Sequence, residues 1–200
     1  VEVDTDQDGF YLANFAEATL VISKATQASL TITSAATVDY WSGLNPVATG
    51  GSGTGALTFA TTSGPCTVAA SIMTPTSAGS CVVVATRAGD TNYFAQTQSA
   101  TVAIAAATQA TVALTSATTV VYGSTLTLTA AGGTGSGAYN FAKVSGACDV
   151  TGTTLTPLSA GECVVHVRKG ADSSYAVSAW SADVTITLTP KPLTLSVSAS

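Results

Sequence analysis

The run Gly50-Gly51-Ser52-Gly53-Thr54-Gly55-Ala56 returns 82 positions later as Gly132-Gly133-Thr134-Gly135-Ser136-Gly137-Ala138, and this shift constrains the chain more than any other feature. The same offset carries Gln27 onto Gln109, Tyr40 onto Tyr122, Phe59 onto Phe141, Cys66 onto Cys148, Cys81 onto Cys163 and Tyr93 onto Tyr175, with no gap needed. A repeat of this length that is built from strand-like segments marks whole small domains in tandem. Two copies span 25–106 and 107–188. Residues 1–24 match the end of a preceding copy, through Tyr11, Ala18, Leu20 and Ile22, and 189–200 match the first strand of a following one.

Within each copy the apolar pattern has period two. Thr125-Leu126-Thr127-Leu128-Thr129 and Val184-Thr185-Ile186-Thr187-Leu188 alternate apolar residues with Thr, as half-buried antiparallel strands do. Gly, Ser, Pro and Asp punctuate segments rich in β-branched residues. The second copy reads as strands near 111–115, 118–121, 124–130, 138–144, 148–150, 153–156, 162–168 and 177–188, and the first as the same list 82 lower. So many short strands in one small unit predict an all-β fold, an immunoglobulin-like β-sandwich in each copy. Pro46 lacks the N–H that a ladder needs, so its strand starts late or lies at an edge.

Only 8% of the residues are charged, and the net charge is −5 with six Lys plus Arg. A nucleic-acid partner needs clustered cations and is excluded on that ground. No run of 18 apolar residues exists, so this segment does not insert in a membrane as a helix. An export signal would lie upstream of a chain that opens inside a repeat. Cys66 and Cys81, and again Cys148 and Cys163, stand 15 residues apart. Two sulfurs per copy are too few for a zinc site, and no Cys-Xaa-Xaa-Cys is present for redox work. One structural disulfide per copy is expected, hence an oxidising, extracellular or cell-surface location.

Catalytic groups are scarce. His166 is the only histidine, and alternation places it on an outward face with Val164 and Arg168, where a solvated imidazole is expected. The Gly-rich loops lead into strands rather than a helix and offer no P-loop lysine, so they read as flexible turns and not phosphate cradles. Asp4, Asp6 and Asp8 alternate like the first half of a calcium loop, but position 15, where such a loop needs its Glu, is Phe15. No cofactor is required, and calcium at this N-terminal hairpin is the one that the sequence suggests. Asp90 and Asp172 are weaker calcium candidates and sit in hairpin-like turns. Trp41 and Trp180 stand opposite Gly123 and Gln98, so they do not recur. They are the candidate binding residues, for a neighbouring repeat or an outside partner.

The run Gly-Gly-Ser-Gly-Thr-Gly-Ala, followed by Phe59, Gly64, Cys66, Thr74-Pro75, Ala78-Gly79, Cys81, Asp90 through Tyr93 and Ser99-Ala100-Thr101-Val102, resembles the bacterial immunoglobulin-like repeats of large secreted and surface-attached proteins, including adhesins. The resemblance implies an extracellular bacterial array. Three roles follow as expectations: a non-catalytic stalk or spacer, a subunit of an extracellular filament or sheath with lateral contacts through residues such as Val82 and Val84, or a glycan- or receptor-binding adhesin module. The partners expected are neighbouring repeats of the same chain and other copies of the protein. An enzyme is not.

Overall fold

The computed structural model describes residues 17–194, so the Asp4, Asp6, Asp8 hairpin lies outside the described residues. All regular structure among them is β. The first set of strands is β1 (Leu30–Ile32), β2 (Thr37–Asp39), β3 (Ala48–Gly50), β4 (Leu57–Ser63), β5 (Cys66–Ala69), β6 (Ile72–Pro75), β7 (Gly79–Arg87) and β8 (Gln96–Ala105). The second is β9 (Val112–Leu114), β10 (Thr119–Val121), β11 (Leu126–Thr127), β12 (Ala130–Gly132), β13 (Tyr139–Gly146), β14 (Cys148–Thr151), β15 (Thr154–Pro157), β16 (Gly161–Lys169) and β17 (Val184–Thr189).

Each set makes a two-layer sandwich of immunoglobulin-like topology. In the first, one sheet has the order β2-β8-β7-β4. The other layer pairs β1 with β3 and β5 with β6, joined where Leu44 bridges Met73. The strand holding Pro46 regains its ladder only at Ala48. In the second sandwich β10-β17-β16-β13 faces β11-β15-β14 together with β12-β9, and the break between β11 and β12 is Leu128-Thr129. Alternation supplies the core: β7 and β16 share the same exposure pattern, with Cys81, Val83 and Ala85 in one and Cys163, Val165 and Val167 in the other turned inward. Leu128, Leu155, Ile186 and Leu188 meet them from the remaining strands of the second sandwich.

Cys66 is bonded to Cys81 and Cys148 to Cys163, with Cα atoms 6.0 and 5.8 Å apart. Each bond ties the first residue of a strand in one layer to an inward position of a strand in the other. Each therefore crosses the core rather than decorating a loop.

The period of 82 does not hold to the end of the second sandwich. Cys81 pairs with Val102 and Gly79 with Ile104, whereas Cys163 pairs with Ile186 and Gly161 with Leu188. The parallel partner of Val38 is Ile104 and that of Val120 is Leu188, so both neighbours of the last strand report an offset of 84. Two extra residues therefore lie between Ser178 and Val184. The expected strand over 177–188 shrinks to β17, and residues 179–183 leave the ladder. Serine side chains take over there: Ser178 Oγ accepts the N–H of Lys169 at 2.8 Å and Ser181 Oγ that of Val167 at 3.1 Å. Trp180 belongs to this insertion and so has no counterpart at Gln98.

Candidate functional site

Trp41 and Trp180, the tryptophans that do not recur, lie at two separate places. The first is the joint between the sandwiches. Tyr40 and Trp41 follow β2, while Tyr175 follows the turn at Asp172. Tyr175 sits edge-on to both rings, with centroids 5.9 Å from Tyr40 and 5.2 Å from Trp41, and Tyr40 and Trp41 are 5.3 Å apart. Such edge-to-face pairs add about 0.5–1.5 kcal/mol beyond the area they bury. Beside them the Ala78 N–H donates to the Ser173 carbonyl at 2.9 Å. The joint buries Tyr175 and Ala107, whereas their counterparts in the first sandwich, Tyr93 and Ala25, are half-buried and exposed. Desolvation there, with Tyr40 and Asp172 nearby, pushes the Tyr175 phenol above its ordinary value.

Asp172 fixes the turn that presents Tyr175. Its Oδ1 accepts the N–H groups of Ser174 and Tyr175, both at 2.8 Å, and its Oδ2 accepts the N–H and hydroxyl of Ser136 in the Gly-rich loop. Asp90 does the same in the first sandwich with Asn92, Tyr93 and Thr54. A carboxylate ringed by donors is an anchor for backbone, the opposite of the oxygen-rich shell that calcium takes. Nor is the Gly-rich loop a free turn. Gln109 donates to the carbonyls of Gly170 and Ala176 and accepts from Gly135. A Cβ on Gly137 would stand 2.1 Å from the Gly170 carbonyl oxygen, so glycine is required there for close approach.

The donors hold the Asp172 carboxyl down to about 2, the Ser174 N–H first and the Ser136 N–H next, against a smaller opposing effect of desolvation. Because the folded value lies below the unfolded one, the turn's contribution is whole above about pH 4 and is lost as pH falls toward 2. The second sandwich should therefore melt at steadily lower temperature across that window. Asp172→Asn, which cannot ionise, should flatten the dependence; circular dichroism melts at stepped pH read both.

The second place is the insertion. Trp180 lies over the outward face of β16, its ring stacked on His166 with centroids 4.0 Å apart and the Arg168 guanidinium 4.5 Å from its centroid. His166 Nδ1 is 3.3 Å from Asp183 Oδ1. The expected solvated histidine is thus covered and partnered, because the inserted residues fold back over it. A cleft of about 340 Å³ opens between the insertion and residues 109–112. Trp41 and Trp180 are not brought together: the first serves the joint and the second its own sandwich. Among the described residues no group of three or more His, Cys, Asp or Glu side chains is placed to share a metal ion. None of the helix type needed to cross a membrane is found there either.

No protein-family model matches the chain, and no curated protein matches it. Among solved structures, the fibronectin(III)-like modules of CbhA from Clostridium thermocellum align at 17% identity, covering 86% of this chain and 100% of that one, with a TM-score of 0.35. Domains 4–9 of the surface layer protein SbsC align at 14% identity over 84% of this chain and 31% of that one, with a TM-score of 0.31. Murine CEACAM1b aligns at 15% identity over 82% of this chain and 100% of that one, with a TM-score of 0.30.

Proposed function

We propose that the chain is a non-catalytic, load-bearing spacer, a segment of extracellular stalk in which repeats 25–106 and 107–188 add reach between a bacterial surface and whatever lies beyond. The observation that carries this reading is the parallel pairing of an early and a late strand in both sandwiches, β2 with β8 and β10 with β17. Tension on the two ends of a sandwich pulls such a pair in opposite senses along its length, so its hydrogen bonds are loaded together. They include Tyr40 N–H to the Ala105 carbonyl and Tyr122 N–H to the Thr189 carbonyl, at 3.0 and 2.8 Å. Behind each pair a disulfide holds the two layers together, and its persistence calls for an oxidising compartment. Among the described residues the catalytic alternative finds no support at His166, which is covered by Trp180 and engaged by Asp183.

Pulling the chain by its ends with an atomic force microscope tests the reading. Two discrete rupture peaks are expected. Reduction should lengthen each release by the chain now locked by a bond between cysteines 15 positions apart, roughly 50 Å when extended. Extension without resolvable peaks would overturn a load-bearing role.

A further inference from the structure

The joint shows what covers the end of a sandwich of this plan, and among the described residues the same end of the second sandwich has no such cover. Tyr122, the counterpart of half-buried Tyr40, is 44% exposed. The Ala160 N–H, counterpart of the Ala78 donor, has no backbone partner among the described residues. The chemistry of this end has also changed. Asp39, Trp41 and Thr76 give way to Val121, Gly123 and Leu158, and Leu158 is 60% exposed. An indole and a carboxylate are exchanged for aliphatic surface around a tyrosine. A Cβ on Gly123 would meet only Lys191 Cδ, at 3.8 Å, so the space that Trp41 takes in the first joint is open here.

We propose that the Val121, Tyr122 and Leu158 end is a docking face for the hairpin of another sandwich of this plan that follows in the same chain. That hairpin is an Asp-anchored turn carrying a tyrosine. The proposal rests on the spacer reading and names the partner of its free end. The tyrosine of the incoming hairpin meets Tyr122 edge-on, its turn carbonyl takes the Ala160 N–H, and Leu158 replaces the indole as the apolar flank. The contact has one ring fewer than the internal joint, so the array bends more readily after the second sandwich than after the first.

The first sandwich carries such a hairpin, from Asp90 to Phe94, which takes no part in the joint, so the protein can supply its own probe. Joined in one chain the contact benefits from an effective concentration on the order of millimolar, and between separate molecules it should emerge only near that concentration. Amide spectra of the isotope-labelled 200-residue protein, recorded from micromolar to millimolar concentration, should show Val121, Tyr122 and Ala160 shifting in step with Asn92, Tyr93 and Phe94. Tyr122→Ala with Leu158→Ser should abolish both sets, and the exposed positions of both changes keep the variant folded. Trp41→Ala, which touches only the internal joint, should leave them intact. Silence at Tyr122 at millimolar concentration would overturn the docking face, as would shifts there without matching shifts at the hairpin. Rupture peaks in the pulling experiment do not depend on this contact, so either idea can fail alone.

Discussion

Replacing Cys148 and Cys163 together by alanine should lower the stability of the second sandwich by about 3 kcal/mol, the loop-closure contribution expected for a cross-link spanning about 15 residues. For a unit of this size that corresponds to a fall in melting temperature of roughly 10–25 °C. Both sulfurs lie in the core, with Cys148 at the start of β14 in one layer and Cys163 inside β16 in the other. The bond therefore restricts the unfolded chain and fastens the layers where Leu155 and Val165 meet. The first sandwich, with Cys66–Cys81 intact, is an internal reference in the same molecule. Calorimetry should show one transition moving and one standing still. Two unmoved transitions would demote the bond to a bystander.

The slipped register of β17 makes the second large prediction. Ile186 is fully buried opposite Cys163, while Val184 is half-buried at the start of the strand. Ile186→Ala should cost about 2–5 kcal/mol, as deletions from a packed interior do, and Val184→Ala about 1 kcal/mol. A constant period of 82 predicts a core-sized loss at both, because it sets Val184 and Ile186 in the places that Val102 and Ile104 hold in the first sandwich, each of them buried. Urea titrations of the two variants decide between them: a loss at Val184 as large as that at Ile186 would refute the insertion.

That slip explains what the sequence could and could not disclose. Strand type, the two-copy plan and the inward cysteines follow from alternation and from recurrences such as Phe59 with Phe141. A displacement of two residues is invisible to the same criterion, because it returns every side chain to the face it came from. Val184, Ile186 and Leu188 all read as inward under either register, and only their partners on β16 and β10 distinguish the two. The covering of His166 was hidden for a related reason, since alternation gives the face of a residue but not what folds back over it. Trp41 was legible as a residue that breaks the repeat. Its meeting with Tyr175 depends on how the Ala105 to Val112 connection sets one sandwich against the next, and composition does not encode that. The glycines of the Gly-rich loop were visible too, but a need for φ freedom and a need for bare backbone beside a carbonyl look alike until the neighbour is known.

The insertion also bears on how such a chain folds. Neighbouring units that share one strand plan risk exchanging equivalent strands during folding, a characteristic failure of tandem proteins. Here the last strands are not interchangeable. Gln96–Ala105, placed in the second sandwich, would be two residues short at the insertion: it would leave Ser178, Ser181 and Trp180 without substitutes and offer Ser99 where His166 finds Asp183. The reverse exchange would force two surplus residues and an indole against Val84 and Thr86, in a ladder with nine consecutive pairings and no slack. A small difference in length between adjacent copies thus acts as a tag of ownership, directing each closing strand to the sandwich it was made with.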